Sequence, residues 1–130
     1  MIVAVSRTSG LIVGQQVSQD RELETLQAVV DTLPPAPRYS TDGHAAYQEL
    51  VWPEGSEHVL SRGKEETHTV ESVNANLRTY LKRLARRCRC FSRSLEALQR
   101  SVRLFVYYYN QRQRLYLAHP RLRGHLPLLI

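Results

Sequence analysis

From Val70 onward the apolar residues recur every three or four positions. Val70, Val73, Leu77, Leu81, Leu84 and Cys88 form one stripe, and Leu95, Leu98, Val102, Phe105, Val106 and Tyr109 form a second. This spacing puts all the apolar side chains of a stripe on one face of a helix, so it predicts two long helices, over about 67–87 and from Ser94 to about Tyr116. Each has one face to bury and therefore needs another layer to bury it against. Ser94, with Glu96 in the first turn, is the expected N-cap of the second.

The N-terminal residues supply that layer. Ile2 to Ser6 and Leu11 to Ser18 are rich in β-branched residues and are separated by Arg7-Thr8-Ser9-Gly10, a short polar loop ending in glycine. They read as a β-hairpin. Asp20 reads as the N-cap of a helix carrying Leu23, Leu26, Val30 and Leu33 inward, stopped by Pro34-Pro35. Arg38 to Thr41 is a strand ending at Asp42-Gly43, His44 to Val51 is expected as two helical turns with Ala46, Tyr47 and Leu50 inward, and Glu57 to Ser61 is a further strand. The tail from Leu117 to Ile130 contains Pro120, Gly124 and Pro127 and is expected to be irregular.

At 130 residues the chain is of one-domain length. No apolar run approaches the ~18 residues of a membrane span, and no basic segment or cleavage site marks a leader after Met1. Cys88 and Cys90 stand one residue apart and do not make a disulfide framework, so a reducing, cytoplasmic setting is expected. Neither they nor His44, His58 and His68 have zinc-ligand spacing. Charge divides the chain sharply. Residues 1–71 carry 5 basic and 11 acidic side chains, whereas residues 72–130 carry 13 basic ones against Glu96 alone. A surface so rich in arginine suits a phosphate backbone, whose neutralisation releases condensed counterions; it also suits a solvated helix face.

On the first long helix, Glu71 lies about 20° from Arg78 and from Lys82 on a wheel of 100° per residue. His68, Glu71, Asn74, Arg78, Lys82 and Arg86 therefore follow one polar ridge, a carboxylate and then cations. Such a ridge can hold a metal ion beside bound phosphates, or it can be a surface charge pattern in which Glu71 supports its neighbours. Asp42, at the end of a strand, has two readings as well. It stands where functional carboxylates gather in α/β sheets, and Asp-Gly is also a common turn and capping pair. Tyr107, Tyr108 and Tyr109, with Asn110, Arg112 and Arg114, could stack bases or line a DNA groove; one tyrosine, Tyr109, must face the core.

Three blocks in this order carry a resemblance: Thr41-Asp42-Gly43-His44-Ala45-Ala46-Tyr47, the run from Gly63-Lys64 through Thr67-His68-Thr69-Val70-Glu71 to Asn74 and Leu77-Arg78, and Phe91-Ser92-Arg93-Ser94-Leu95-Glu96. The chain resembles, from about Ile2 through Asn110, the catalytic domain of bacterial insertion-sequence transposases with a DDE triad, closest to the insertion-sequence-one family. The resemblance implies an α/β, ribonuclease-H-like (retroviral-integrase-like) mixed sheet flanked by helices, with the two long helices at its C-terminal end. It implies metal-dependent DNA strand cleavage and strand transfer, with two Mg²⁺ or Mn²⁺ ions ~3.5–4 Å apart held by carboxylates. Asp42 matches the second carboxylate of the triad and Glu71 the third, as catalytic and metal-holding residues. Asn74 and Arg78 match the family's downstream Asn and Arg and, with Lys82, Arg83, Arg86 and Arg87, are expected to contact DNA.

The chain departs from the family at the first triad residue. In relatives an Asp lies on a strand before the hairpin, whereas here the hairpin begins at Ile2 and no position before Asp42 supplies that Asp. Residues 1–116 are accordingly expected to be a ribonuclease-H-like domain lacking its first strand, followed by a tail over 117–130. Expected partners are the insertion-sequence ends and target DNA, a second copy of the chain or an upstream-encoded transposase segment, and no membrane; the expected location is the nucleoid. A non-enzymatic DNA-binding or transposase-interacting remnant is the alternative, and a helical partner-binding protein is a third reading.

Overall fold

The computed structural model describes residues 1–19, 22–61, 68–80 and 94–122. Strands β1 (Ile2–Val5) and β2 (Ile12–Gln16) pair antiparallel, with Ile2 opposite Gln16 and Val5 opposite Ile12. Gly10, at φ +72°, closes the turn, where its N–H donates to the Ser6 carbonyl at 2.8 Å. That left-handed backbone is open to glycine at little cost, which is why the polar loop ends there. Helix α1 (Leu23–Thr32) follows, then β3 (Arg38–Thr41), a single 3-10 turn (Ala45–Gln48), β4 (Glu57–Leu60), α2 (His68–Tyr80), α3 (Leu95–Ala118) and a last 3-10 turn (Pro120–Leu122).

The alternation of β1 decides the layering. Val3 and Val5 point to one side and join Ile12, Val17, Val73, Leu77, Leu98, Val102 and Phe105 in the larger core. Ile2 packs on the other core cluster, with Leu26 and Val30 of α1 and with Leu50. One residue of shift along a strand changes its face, so the hairpin separates α1 from the pair α2 and α3. Phe105, Leu77 and Val102 are fully buried at the centre of the larger cluster. Gly14 permits a close approach between layers: a Cβ there would stand 2.5 Å from Leu33 Cδ2.

Side-chain amides lock α3 to the outer edge of β2. Asn110 accepts from Ile12 N–H at 2.9 Å and donates to the Ile12 carbonyl at 2.8 Å. Gln99 accepts from Val17 N–H at 2.7 Å and donates to Gln15 Oε1 at 2.8 Å, and Gln113 donates to the Ser9 carbonyl at 2.9 Å. An exposed strand edge is a template for foreign pairing, and these amides fill that role from within the chain.

Several expectations are corrected. The mixed α/β character is present, but among the described residues the strands form two two-stranded sheets, β1 with β2 antiparallel and β3 with β4 parallel, and not one continuous ladder. Both lie near α1: Ile2 of β1 and Trp52 pack on the same cluster as Leu26 and Val30, and the Trp52 ring stacks on His58 of β4 at 4.4 Å. The two helical turns expected over 44–51 shrink to the 3-10 turn, because Pro53 follows closely and the segment is needed to return the chain to β4. Leu23 and Leu95, expected inward, are each 41% exposed; both sit in the first turn of a helix, ahead of the packed face. Val29 takes an inward place the spacing did not assign. α3 continues through Leu117 and Ala118, so those two residues are helical. Asp20, the continuation of α2 through Leu81, Leu84 and Cys88, Cys90, and the tail beyond Leu122 lie outside the described residues. Glu22 stands at the N-cap position of α1, without a side-chain cap bond.

Candidate nucleic-acid interface and carboxylate site

Asp42 directly follows β3. Its Oδ1 accepts from His44 N–H at 3.1 Å, and His44 Nδ1 in turn accepts from Ala46 N–H at 3.3 Å. The turn and capping role open to Asp-Gly is therefore realised, while the Asp42 side chain stays exposed. A parallel pair runs up to this carboxylate, with Thr41 opposite Leu60 and the Ser61 N–H donating to the Thr41 carbonyl at 2.8 Å. Thr41 is fixed a second time, through Oγ1, which lies 2.7 Å from His58 Nε2. His58 stacks on Trp52, and Trp52 meets Tyr39 at 5.1 Å. Burial in this aromatic stack lowers the pKa of His58 below the usual histidine value.

Glu71 lies in the first turn of α2 and is exposed. An acidic side chain there is favoured by the helix dipole. Asn74 is half-buried, and Arg78, in the last turn, is exposed. α2 is held in place by Val73 and Leu77, both buried against α3 and the hairpin. Lys82, Arg83, Arg86 and Arg87 lie outside the described residues.

Among the described residues, no group of three or more His, Cys, Asp or Glu side chains comes together in a way that could hold a metal ion. Asp42 and Glu71 are thus not joined by a further such donor among the described residues. On α3, two residues considered for DNA have other work. Asn110 is committed to the backbone of Ile12, and Arg112 lies over the Tyr116 ring at 5.0 Å with its Nε donating to the Tyr116 hydroxyl. Tyr109 stacks on Phe105 at 5.8 Å, as its inward place requires, while Tyr107 and Tyr108 are exposed. An open cavity of about 180 Å³ is lined by Asn76, Tyr109, Arg112, Gln113 and Tyr116.

Sequence reasoning missed the amides of Gln99, Asn110 and Gln113 as edge-covering groups, and His58 as the support of Thr41. The amides do carry a signal, since they fall at the margin of the apolar face of α3, where a polar side chain can reach a neighbouring strand.

The protein-family model for IS1 transposase matches residues 2–119. The chain belongs to the IS1 transposase family. No curated protein and no solved structure matches it. Membership in the IS1 transposase family points to DNA transposition. Among the described residues, no helix is long and apolar enough to cross a membrane.

Proposed function

We propose that this member of the IS1 transposase family is the catalytic-domain part of a ribonuclease-H-like DNA strand-transferase, with Asp42 and Glu71 as two of its three carboxylates. The observation that carries the reading is the position of Asp42 at the C-terminal end of a strand in a parallel pair, the place where functional groups gather in α/β sheets. Glu71 supports it as a carboxylate on an exposed helical turn, followed by Asn74 and Arg78 on the same ridge. The first carboxylate of the triad would then come from a strand placed beside β1, where it would also join the two small sheets into one. Support comes from the shared cover: α1 packs near both sheets, yet they exchange no ladder. Asn74 and Arg78, with Lys82, Arg83, Arg86 and Arg87, are assigned to contact with the DNA backbone in this reading. The family's divalent ions, when bound, would activate the attacking oxygen, and Asp42 and Glu71 are the carboxylates that would help to hold them.

The test is strand cleavage of DNA carrying insertion-sequence ends, in Mg²⁺ or Mn²⁺, by the chain joined to a segment that supplies the missing strand. Asp42→Asn and Glu71→Gln should each lower cleavage at least about a hundredfold, the equivalent of two to three kcal/mol of barrier. Cleavage unchanged by either substitution overturns the assignment. DNA binding without cleavage in every combination favours the non-enzymatic reading.

A further inference from the structure

The outer face of α3 is not explained by the core or by the carboxylates. Leu104, Tyr107, Tyr108 and Leu115 are 55%, 58%, 40% and 47% exposed. At 100° per residue Leu104, Tyr108 and Leu115 fall within about 40° of one another, with Tyr107 about 60° to one side. Arg103 and Arg114 follow on that same side, both exposed. From Ala97 to Ala118 the helix has no carboxylate. The rings of Tyr107 and Tyr108 meet edge to face, 5.3 Å apart and inclined at 80°.

We infer that this face of α3 is a stacking platform for single-stranded DNA, on which bases lie against the rings of Tyr107 and Tyr108 and phosphates meet Arg103 and Arg114. Charge complementarity selects the occupant. Two copies of this face laid against each other would oppose arginines with no carboxylate to separate them. A strand of unpaired bases satisfies both features together, since every base offers a π face and every linkage an anion. Duplex DNA satisfies only the cations, because its bases are stacked on one another. The choice of DNA over RNA rests on membership of the IS1 transposase family; the platform itself is independent of Asp42 and Glu71.

The experiment is fluorescence anisotropy with the full 130-residue chain, in EDTA, against a labelled 20-nucleotide oligothymidylate and a duplex of the same length. No metal is present, so failure of the carboxylate site and failure of the platform are separable. Tyr107→Ala with Tyr108→Ala should weaken oligothymidylate binding at least about thirtyfold, the lower range for losing two stacked bases, with less than about a twofold change for duplex. Tyr107→Phe with Tyr108→Phe keeps the rings and should retain wild-type affinity. Circular dichroism of the alanine variant should match wild type, since both side chains are exposed. Equal loss for duplex and single strand, or no loss for either, overturns the platform. Tighter binding of oligouridylate than oligothymidylate overturns it in favour of RNA, and a dimer abolished by the alanine pair without any effect on DNA overturns it in favour of self-association.

Discussion

A single amide, Asn110, satisfies two backbone groups of a residue 98 positions away. Replacing it with alanine leaves the Ile12 N–H and carbonyl without these partners in a partly buried place, so Asn110→Ala should lower stability by about 1–3 kcal/mol, seen as a shift of the urea midpoint at unchanged slope. His58 gives a pH signature. Its folded pKa lies below the unfolded value, so the unfolded chain binds the proton more readily and stability rises with pH. The contribution is complete above the unfolded value of about 6.5 and is lost as pH falls toward the folded pKa. Thermal midpoints should therefore drop between pH 7.5 and 5.5, and His58→Gln should flatten that part of the profile. Asn110 marks the limit of reading residues from sequence. The helical wheel places it beside the apolar face, where an amide serves a neighbouring strand as readily as a nucleic acid, and only the register of α3 against β2 decides between them. Asp42 shows the same limit, because its turn role and its site role use the same exposed position.

At the scale of elements, the helices were the most legible. The stripe from Leu98 to Tyr109 and the Ser94 cap predicted α3, and the cap forms, with Ala97 N–H donating to Ser94 Oγ at 3.3 Å. Ser94→Ala should loosen the first turn of α3 by about 1 kcal/mol, visible as faster amide exchange there while residues near Phe105 stay protected. Phe105 is fully buried among residues of β2, α2 and α3. Phe105→Ala should cost about 3–5 kcal/mol, and loss of the thermal transition at 37 °C is the expected readout. The hairpin was legible too, because alternation and the glycine at its turn agree. Strands β3 and β4 were found but not their pairing, since four residues carry too little pattern to choose a partner or a direction. Over 44–51 the inward places of Ala46, Tyr47 and Leu50 were legible but the α-helix was not, because three apolar residues in so short a segment do not distinguish two helical turns from the single 3-10 turn and loop that bury them.

For the whole molecule, the opposed charge of the two halves outweighs the net value of +6. DNA should meet the C-terminal half first, and its affinity should fall steeply as salt rises; a slope close to zero between about 50 and 200 mM salt would separate this chain from phosphate binding altogether. The family was legible from three ordered blocks, whereas the division into two sheets was not, because pairing between distant strands leaves no local trace. The amides of Gln99 and Asn110 have a consequence at this scale. They behave as chain terminators, engaging the hairpin's outer edge at Ile12 and at Val17. Backbone groups of Ile12 and Val17 that a foreign strand would need are already occupied, which disfavours the open-ended stacking by which bare hairpins polymerise.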